Sequence, residues 1–306
     1  MVLNIKIQVV MRLIYINDEK QNSILDIRIN NDFNQKLENL PLSLQSLTLG
    51  SNFNQKLENL PPGLQSLTLG TNFDQKLENL PPSLQNLTLG MNFNQKLENL
   101  PNSLIQLTFD YFSCFNQKLE NLPNGLRSLF LGERFNQKIE NLPVCLQNLN
   151  LGDNFNQKLE NLPYGLLRLN FSVKSIFNQK LENLPNSLQN LTLGTNFNKK
   201  IKNLPYSLQN LCLGYDFNQK LENLPNNLRN LTLGPGFNHK LDPCIALPKL
   251  QNLIIVSNDN LQVPPLFNTT IIYINWGSIT KKVYENYENY DIDEWKHIFY
   301  KSINIK

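Results

Sequence analysis

Apolar residues recur along this chain with a fixed period, and nearly the same polar residues separate them each time. A nine-residue stretch, most often F-N-Q-K-L-E-N-L-P, begins at ten phenylalanines: Phe33, Phe53, Phe73, Phe93, Phe115, Phe135, Phe155, Phe177, Phe197 and Phe217. Successive copies begin 20 residues apart except at two intervals of 22, and Phe237 opens a degraded eleventh copy. A period of this size predicts a solenoid, in which each coil stacks only on its neighbours.

Each period contains one predicted strand. Leu44, Leu47, Leu49 and Asn52 fit the pattern L-x-x-L-x-L-x-x-N, which is the strand half of a leucine-rich repeat. The other half is too short for a full helix, and Pro61 followed by a second proline favours an extended path. The predicted fold is therefore mainly β: a leucine-rich-repeat-like solenoid of 20 to 22-residue coils, with a parallel concave sheet and extended segments on the convex side.

Both ends of the chain depart from the repeat, and both are predicted to cap it. Residues 1–16 alternate apolar and polar side chains like a half-buried strand, and residues 24–29 place isoleucines where each repeat places leucines. Residues 291–301 carry an apolar stripe that predicts a short helix, which either covers the last coil or docks another protein. The predicted divisions are an N-terminal β cap at 1–32, the solenoid at 33–258 and a C-terminal cap with a short helix at 259–306.

Two columns of asparagine accompany the apolar pattern. One follows the repeat phenylalanines, with Asp74 as its exception, and the other includes Asn39 and Asn59. An amide both donates and accepts, so we expect stacked asparagines to satisfy backbone groups in adjacent coils. Asp74 cannot donate while it is ionised, and we expect its replacement by asparagine to stabilise the fold.

Lysine and glutamate form two further columns on the predicted convex side, as at Lys36 and Glu38 around the inward Leu37. These columns are either a charged track for nucleic acid or lipid, or a solvated face in which the two signs balance. The coil that begins at Phe197 alone breaks the balance, because it carries Lys199, Lys200 and Lys202.

The two 22-residue coils lack the glycine that ends other strands. Asp110 and Ser172 replace it, and we expect longer loops that protrude at the strand ends. The strand face also changes near these coils, since its usual Gln, Ser and Thr give way to Ile105, Leu167, Asn150 and Asn170, while Glu133 and Asp153 join the loops. Aromatic and arginine side chains are favoured as binding anchors. The candidate partner-binding residues are Tyr111, Phe112, Arg127, Phe130, Arg134, Arg168 and Lys174, with repeat drift as the alternative explanation.

The pattern F-N-x-x-[LI]-x-x-L-P, seen here as Phe135, Asn136, Ile139 and Pro143, resembles the FNIP repeat, a leucine-rich-repeat variant. The L-P-x-S-L-x-x-L-x-L segment is also similar to the short leucine-rich repeats of bacterial effector proteins, whose backs are extended. The FNIP resemblance implies a role in ubiquitin ligation for some members, because those carry an F-box. The first 32 residues of this chain are strand-like and show no helical F-box pattern.

Composition and charge narrow the functional classes. The chain is 41% hydrophobic and 17% charged with a net charge of +3, which indicates neither disorder nor a basic nucleic-acid surface. Four cysteines lie far apart without a C-x-x-C pair, so we expect reduced thiols rather than a zinc site or a disulfide framework. Polar residues interrupt the first twelve positions, so we expect no signal peptide, no membrane span and an intracellular, cytoplasmic location.

The two histidines, His239 and His297, lie in no catalytic motif. The sequence therefore predicts no enzyme, no cofactor, no metal site and no nucleic-acid or membrane ligand. The predicted function is a non-catalytic scaffold that binds a protein partner on its concave face. The alternatives are a substrate receptor in ubiquitin ligation and a structural protein whose copies pack by their sides, and the sequence leaves the oligomeric state open.

Overall fold

The structure is a computed structural model that describes residues 25–239 and 247–256, and the backbone alone of residues 270–275 and 278–283. Every regular element in these residues is a strand. The strands are β1 (Asp26–Arg28), β2 (Ser46–Thr48), β3 (Ser66–Thr68), β4 (Asn86–Leu89), β5 (Gln106–Phe109), β6 (Ser128–Phe130), β7 (Asn148–Leu151), β8 (Arg168–Phe171), β9 (Asn190–Thr192), β10 (Asn210–Leu213), β11 (Asn230–Leu233), β12 (Asn252–Val256), β13 (Thr270–Asn275) and β14 (Ser278–Val283). The chain forms two compact units, Met1–Leu149 and Asn150–Lys306.

In the first unit, β1 to β6 pair in parallel and in sequence order. Identical positions of successive repeats lie opposite one another, as Leu47 lies opposite Leu67. Side chains alternate along each strand, so the central leucine is buried while its two neighbours face outward. We call the outward side of the strands the strand face.

The first strand lies within the isoleucine-containing segment at 24–29. β1 pairs with β2 in parallel, and Ile27 lies opposite Leu47, as its place in the sequence pattern predicted. Ile27 is buried and therefore continues the leucine column of the repeats. The strand predicted within residues 1–16 lies outside the described residues.

In the second unit, β8 to β13 pair in parallel in the same order. Leu253 of β12 lies opposite Ile271 of β13, so the parallel ladder continues beyond the last regular coil. β14 then pairs with β13 in the antiparallel direction, which the sequence did not predict. The helix predicted at 291–301 lies outside the described residues.

The coils that begin at Phe53 and beyond each bury a phenylalanine and a set of leucines, whereas Phe33 is half-buried, and the phenylalanines stack between coils. In the first unit the rings of Phe53 and Phe73 are parallel to within 3°, with centroids 6.2 Å apart. The same spacing recurs in the second unit, where the rings of Phe197 and Phe217 are 6.1 Å apart. Leu60, which follows the left-handed turn at Asn59, is only half-buried.

The two asparagine columns have different structural roles. The Oδ1 atom of Asn34 accepts hydrogen bonds from the backbone N–H of Asn54, at 2.9 Å, and from the Nε2 group of Gln55 in the next coil, at 3.1 Å. This ladder confirms that asparagine satisfies backbone groups of the adjacent coil. The other column supplies the turn, since its ten residues, Asn39 included, have φ between 54° and 59°, a region that asparagine tolerates better than most residues. Asn59 in this column also donates its Nδ2 group to the carbonyl oxygen of Leu37 in the adjacent coil, at 3.4 Å.

Asp74 takes part in this ladder as asparagine does, so the structure gives no reason to expect that Asp74→Asn stabilises the fold. Its Oδ1 atom accepts hydrogen bonds from the backbone N–H of Asn94, at 2.9 Å, and from Gln95, at 3.1 Å, as asparagine does elsewhere in the column. Its own backbone N–H donates to Asn54 at 3.0 Å. The ladder uses the side-chain oxygen as an acceptor, so a carboxylate serves as well as an amide.

Candidate functional site

The strand face of the first unit changes character at β5 and β6. In the coils of β2 to β4 its outward positions hold Gln, Ser, Asn and Thr. Phe130 takes the place of threonine and lies opposite Thr108, and it is half-buried. Arg127 takes the place of glutamine, is exposed, and donates its backbone N–H to the carbonyl oxygen of Ile105 at 2.8 Å. Ile105 is itself 39% exposed, so an apolar and cationic area replaces a neutral polar one.

The loop after β5 adds two exposed aromatic rings. Tyr111 is 44% exposed and Phe112 is 55% exposed, and the rings meet edge to face with centroids 4.9 Å apart. Hydrogen bonds within the loop fix its backbone. The Oδ1 atom of Asp110 accepts the Phe112 backbone N–H at 2.9 Å, and the hydroxyl oxygen of the fully buried Ser113 accepts the backbone N–H of Phe115 at 3.2 Å. The prediction of a protruding loop here is confirmed.

This loop lies against the turn of the following coil. The backbone N–H of Glu133 donates to the carbonyl oxygen of Tyr111 at 2.6 Å, which places the exposed Arg134 beside the loop. Five of the seven predicted site residues therefore lie on β5, β6 and the turns that flank them. We call this surface of the first unit the central patch, and it consists of Ile105, Tyr111, Phe112, Arg127, Phe130 and Arg134.

The other two predicted residues, Arg168 and Lys174, lie in the second unit. Arg168 opens β8 and is exposed, and Lys174 is exposed in the second long loop. The same serine hydrogen bond closes this loop as closes the first long loop: Ser175 is fully buried and accepts the backbone N–H of Phe177 at 3.2 Å.

The second long loop also exposes apolar residues that were not predicted as site residues. Val173 is 46% exposed and Ile176 is 42% exposed. The sequence could have indicated them, because they lie in the second 22-residue coil and the first such coil exposes Tyr111 and Phe112 in its loop.

Asp153 was expected to be an accessible loop residue, and this expectation is wrong. It is only 9% exposed, and its carbonyl oxygen accepts the backbone N–H of Ile176 at 2.8 Å. Packing under the longer loop removes it from the accessible surface. The side chains of Asn150 and Asn170 are hydrogen-bonded to each other, since Asn170 donates its amide to the Oδ1 atom of Asn150 at 3.1 Å.

A further set of exposed apolar side chains follows the repeat proline, at the turn before the strands. These residues are Leu42, Val144, Tyr164 and Tyr206, and each is more than half exposed. The sequence signal was the variability of this position, which holds Pro, Asn, Leu, Val or Tyr in different coils. Since they precede the strands, they lie at the opposite strand end from the long loops.

The back of the first unit carries the predicted lysine and glutamate columns. Leu97 is buried, whereas Lys96 and Glu98 on either side of it are exposed. An open cleft of about 400 Å³ is lined there by both signs of charge, including Lys118 and Glu120. The mixed lining favours a solvated face over a track for a polyanion.

The described residues offer little reactive chemistry. Cys114, Cys145 and Cys212 are free thiols, and burial raises the pKa of Cys212 to about 11 although a hydrogen bond with Thr232 opposes that rise. Such a thiol is a poor nucleophile at neutral pH. Within the described ranges, no group of three or more His, Cys, Asp or Glu side chains is placed to hold a metal ion. No helix in that part of the chain is long and apolar enough to cross a membrane.

Comparison with known proteins identifies the repeat. The family model described as FNIP Repeat matches residues 33–72, 53–90, 73–112, 115–143, 135–174, 177–216 and 217–257. No curated protein matches this chain.

Among solved structures, the chain is similar to the crystal structure of CroV588, described as a novel circular LRR protein, with 40% identity and a TM-score of 0.73. The match covers 81% of this chain and 40% of that chain, so this protein spans well under half the length of its structural relative. It also matches YopM from Yersinia enterocolitica at 21% identity, over 80% of this chain and 74% of that chain, with a TM-score of 0.37.

Proposed function

This chain belongs to the FNIP repeat family, and from that premise we propose that it is a non-catalytic scaffold that binds a protein partner on its strand face. Its fold is a solenoid of the leucine-rich-repeat type, a class that commonly offers an extended surface to protein partners. Protein binding therefore agrees with the fold, and the choice of surface depends on the side chains that depart from the repeat.

The observation that carries the proposal is the exposed aromatic area of the central patch. Tyr111 and Phe112, in the loop after β5, leave about half of their surface in water, and Phe130 and Ile105 add apolar groups on the strand face. Aromatic and arginine side chains dominate binding energy in protein interfaces, because they combine large contact area with directed hydrogen bonds. Here the two residue types occur together on one surface.

The distribution of the substitutions argues against drift. The inward positions of the same coils keep their repeat identity and their burial, as Phe115 at 1% and Leu126 at 0% exposure show. Drift accounts for single exposed apolar residues such as Leu42 and Tyr164, whereas a contiguous apolar area is informative about binding. At the central patch the replacements are aromatic, apolar or cationic instead.

The described side chains also support a non-catalytic role. His239 is the one histidine in the described ranges, and its Nε2 atom lies 3.2 Å from the backbone carbonyl oxygen of Asn218. The described neighbours of the ring are this carbonyl and the ring of Phe237, and neither is a nucleophile that His239 could activate. We propose no cofactor or metal for this function.

The proposal is tested by affinity capture from cell lysate followed by reconstitution with the purified partner. The bait is the full chain, compared with the double variant Arg127→Gln plus Phe130→Thr, which restores the residues usual for the repeat. A matched control reverses the charge of Lys56, Lys96 and Lys158 on the back. We expect the double variant to lose the partner, and the control to keep it, while both proteins melt close to the wild-type temperature.

The second unit is tested separately, with Arg168→Asn plus Lys174→Ser. Loss of capture from this variant alone moves the binding surface to the second unit. If charge reversal on the back abolishes capture while the Arg127→Gln plus Phe130→Thr protein still binds, the strand face is not the working surface. If the bait retains only further copies of itself, the protein is an assembly protein instead.

A further inference from the structure

The strand face is unusual in its charge. Among its described outward positions between residues 45 and 254 there is no Asp, Glu or Lys, and the charged residues there are Arg127, Arg168 and Arg229. The back of the same coils, by contrast, carries lysine and glutamate in adjacent columns. Between residues 45 and 254 the face proposed to bind a partner therefore carries arginine but no carboxylate side chain of its own, and Asp26 on β1 lies outside this range.

Arg127 illustrates this in the first unit. It is exposed, and its neighbours at the same position of the adjacent coils are uncharged: its N–H donates to Ile105, and its carbonyl oxygen accepts the N–H of Gln147 at 2.9 Å. The carboxylates in the turns that follow β5 and β6, Asp110 and Glu133, lie at the far ends of these strands from Arg127, and Glu120 belongs to the charge columns of the back. The forked guanidinium donors of Arg127 thus face solvent where a carboxylate could approach them.

Apolar groups lie at a defined distance from this cation. Phe130 is three positions further along the chain, and an extended chain rises about 3.3 Å per residue, so the two Cα atoms are roughly 10 Å apart along β6. Tyr111 and Phe112 continue the apolar area beyond Phe130, in the loop after β5. A ligand that runs along the strand would meet a cation first and an aromatic surface about three residues later.

We propose that the central patch takes an extended acidic peptide segment, in which a carboxylate side chain pairs with Arg127 and an aromatic or aliphatic side chain packs on Phe130, Tyr111 and Phe112. This inference rests on the proposed function and specifies its partner. Arginine matches a carboxylate through two parallel hydrogen bonds, which gives the pair both strength and direction. A nucleic acid fits less well, because it needs many cations along its phosphates and this face of the first unit offers Arg127 alone between residues 45 and 148.

The experiment selects short linear peptides from a random display library on the immobilised full chain. We expect enrichment of sequences that carry Asp or Glu about three residues from an aromatic or large aliphatic residue, the spacing set by the strand rise. For a selected peptide, replacing its acid by the matching amide should weaken binding to the wild-type chain by about tenfold or more. The Arg127→Gln protein should bind the acidic and amide peptides equally.

Two further protein variants are measured with the same acidic and amide peptides. Phe130→Thr should weaken both peptides alike, because it removes the apolar contact and leaves the charge pair. Lys96→Gln, which removes one cation from the back, should change neither affinity. Melting curves of all variants establish that each protein is folded when it is measured.

The outcomes separate this inference from the proposed function. If selected peptides lose affinity on Phe130→Thr but tolerate loss of their acid, the patch binds peptides and the acidic specificity is wrong. If the affinity of every selected peptide is independent of Arg127 and Phe130, both the acidic specificity and the proposed binding surface are wrong. If a single-stranded oligonucleotide displaces the peptide and its own binding requires Arg127, the ligand is a nucleic acid and the inference is overturned.

Discussion

A regular coil and a 22-residue coil of the first unit close their turns in different ways. In the regular coil, Gly70 follows the strand, and its carbonyl oxygen accepts the backbone N–H of Phe73 at 3.3 Å. In the longer coil Asp110 stands in the place of that glycine, and the buried hydroxyl of Ser113 accepts the N–H of Phe115 instead. A side chain has taken over a bond that the backbone makes elsewhere.

The stacking of the core phenylalanines is nearly the same in both kinds of coil. The rings of Phe93 and Phe115 remain stacked with centroids 6.2 Å apart, as in the regular coils, and Phe109 adds a closer ring contact with Phe115 at 4.2 Å. The two extra residues go outward and expose Tyr111 and Phe112. The two residues inserted after the strand therefore leave the stack of phenylalanine rings in place. They add exposed surface at the end of the strand.

The largest effect is expected where the tight turn admits no side chain. A Cβ atom at Gly70 would overlap the carbonyl oxygen of Gly50 in the adjacent coil, whereas one at Gly63 would lie 3.7 Å from its nearest described neighbour, in ordinary contact. We expect Gly70→Ala to reduce the free energy of unfolding by about 3 kcal/mol or more, because the backbone must move. Gly63→Ala should change it by less than about 0.5 kcal/mol. Urea unfolding compares the two, and equal effects would show that close backbone approach does not limit the regular turn.

The next effect concerns the side-chain bond that closes the longer coil. Ser113→Ala should cost about 1 to 3 kcal/mol of unfolding free energy, since it leaves the N–H of Phe115 buried without its acceptor. The control is Ser66→Ala at a half-buried position of the strand face, where we expect a change below about 0.5 kcal/mol. A Ser113→Ala protein as stable as the control would mean that the hydroxyl does not close the turn.

A smaller effect is expected from the additional ring. Phe109→Leu restores the residue that regular coils place there and removes the ring contact with Phe115. We expect a loss of about 1 kcal/mol, because the leucine fills most of the volume while the aromatic pair is lost. Thermal and urea unfolding measure it. A more stable variant would indicate that the longer coil is strained by the larger side chain.

The smallest effect is expected in the asparagine ladder, which both kinds of coil share. Asp74→Asn should change the unfolding free energy by less than about 0.5 kcal/mol, because the carboxylate already accepts the hydrogen bonds from Asn94 and Gln95. Asp74→Ala, which removes the acceptor, should cost about 1 kcal/mol or more. Clear stabilisation by asparagine would restore a role for the amide donor.

The sequence by itself determined the repeat architecture. Its 20-residue period aligned identical residues of adjacent coils, so Leu47 lies opposite Leu67, and the alternation around each strand leucine separated the buried side from the strand face. It also identified the places where the repeat is interrupted, and it correctly predicted a protruding loop with exposed Tyr111 and Phe112. These features follow from period and polarity, which are properties of the chain alone.

The tertiary structure decided how individual polar groups are used. A sequence shows that Asp74 breaks a column of asparagines, but only the position of Asn94 in the next coil shows that an acceptor suffices. Asp153 is buried, and Ser113 closes a turn, because of the atoms that the fold brings against them. The direction of a hydrogen bond and the burial of a loop residue depend on neighbours distant in sequence, so they become fixed only when the coils stack.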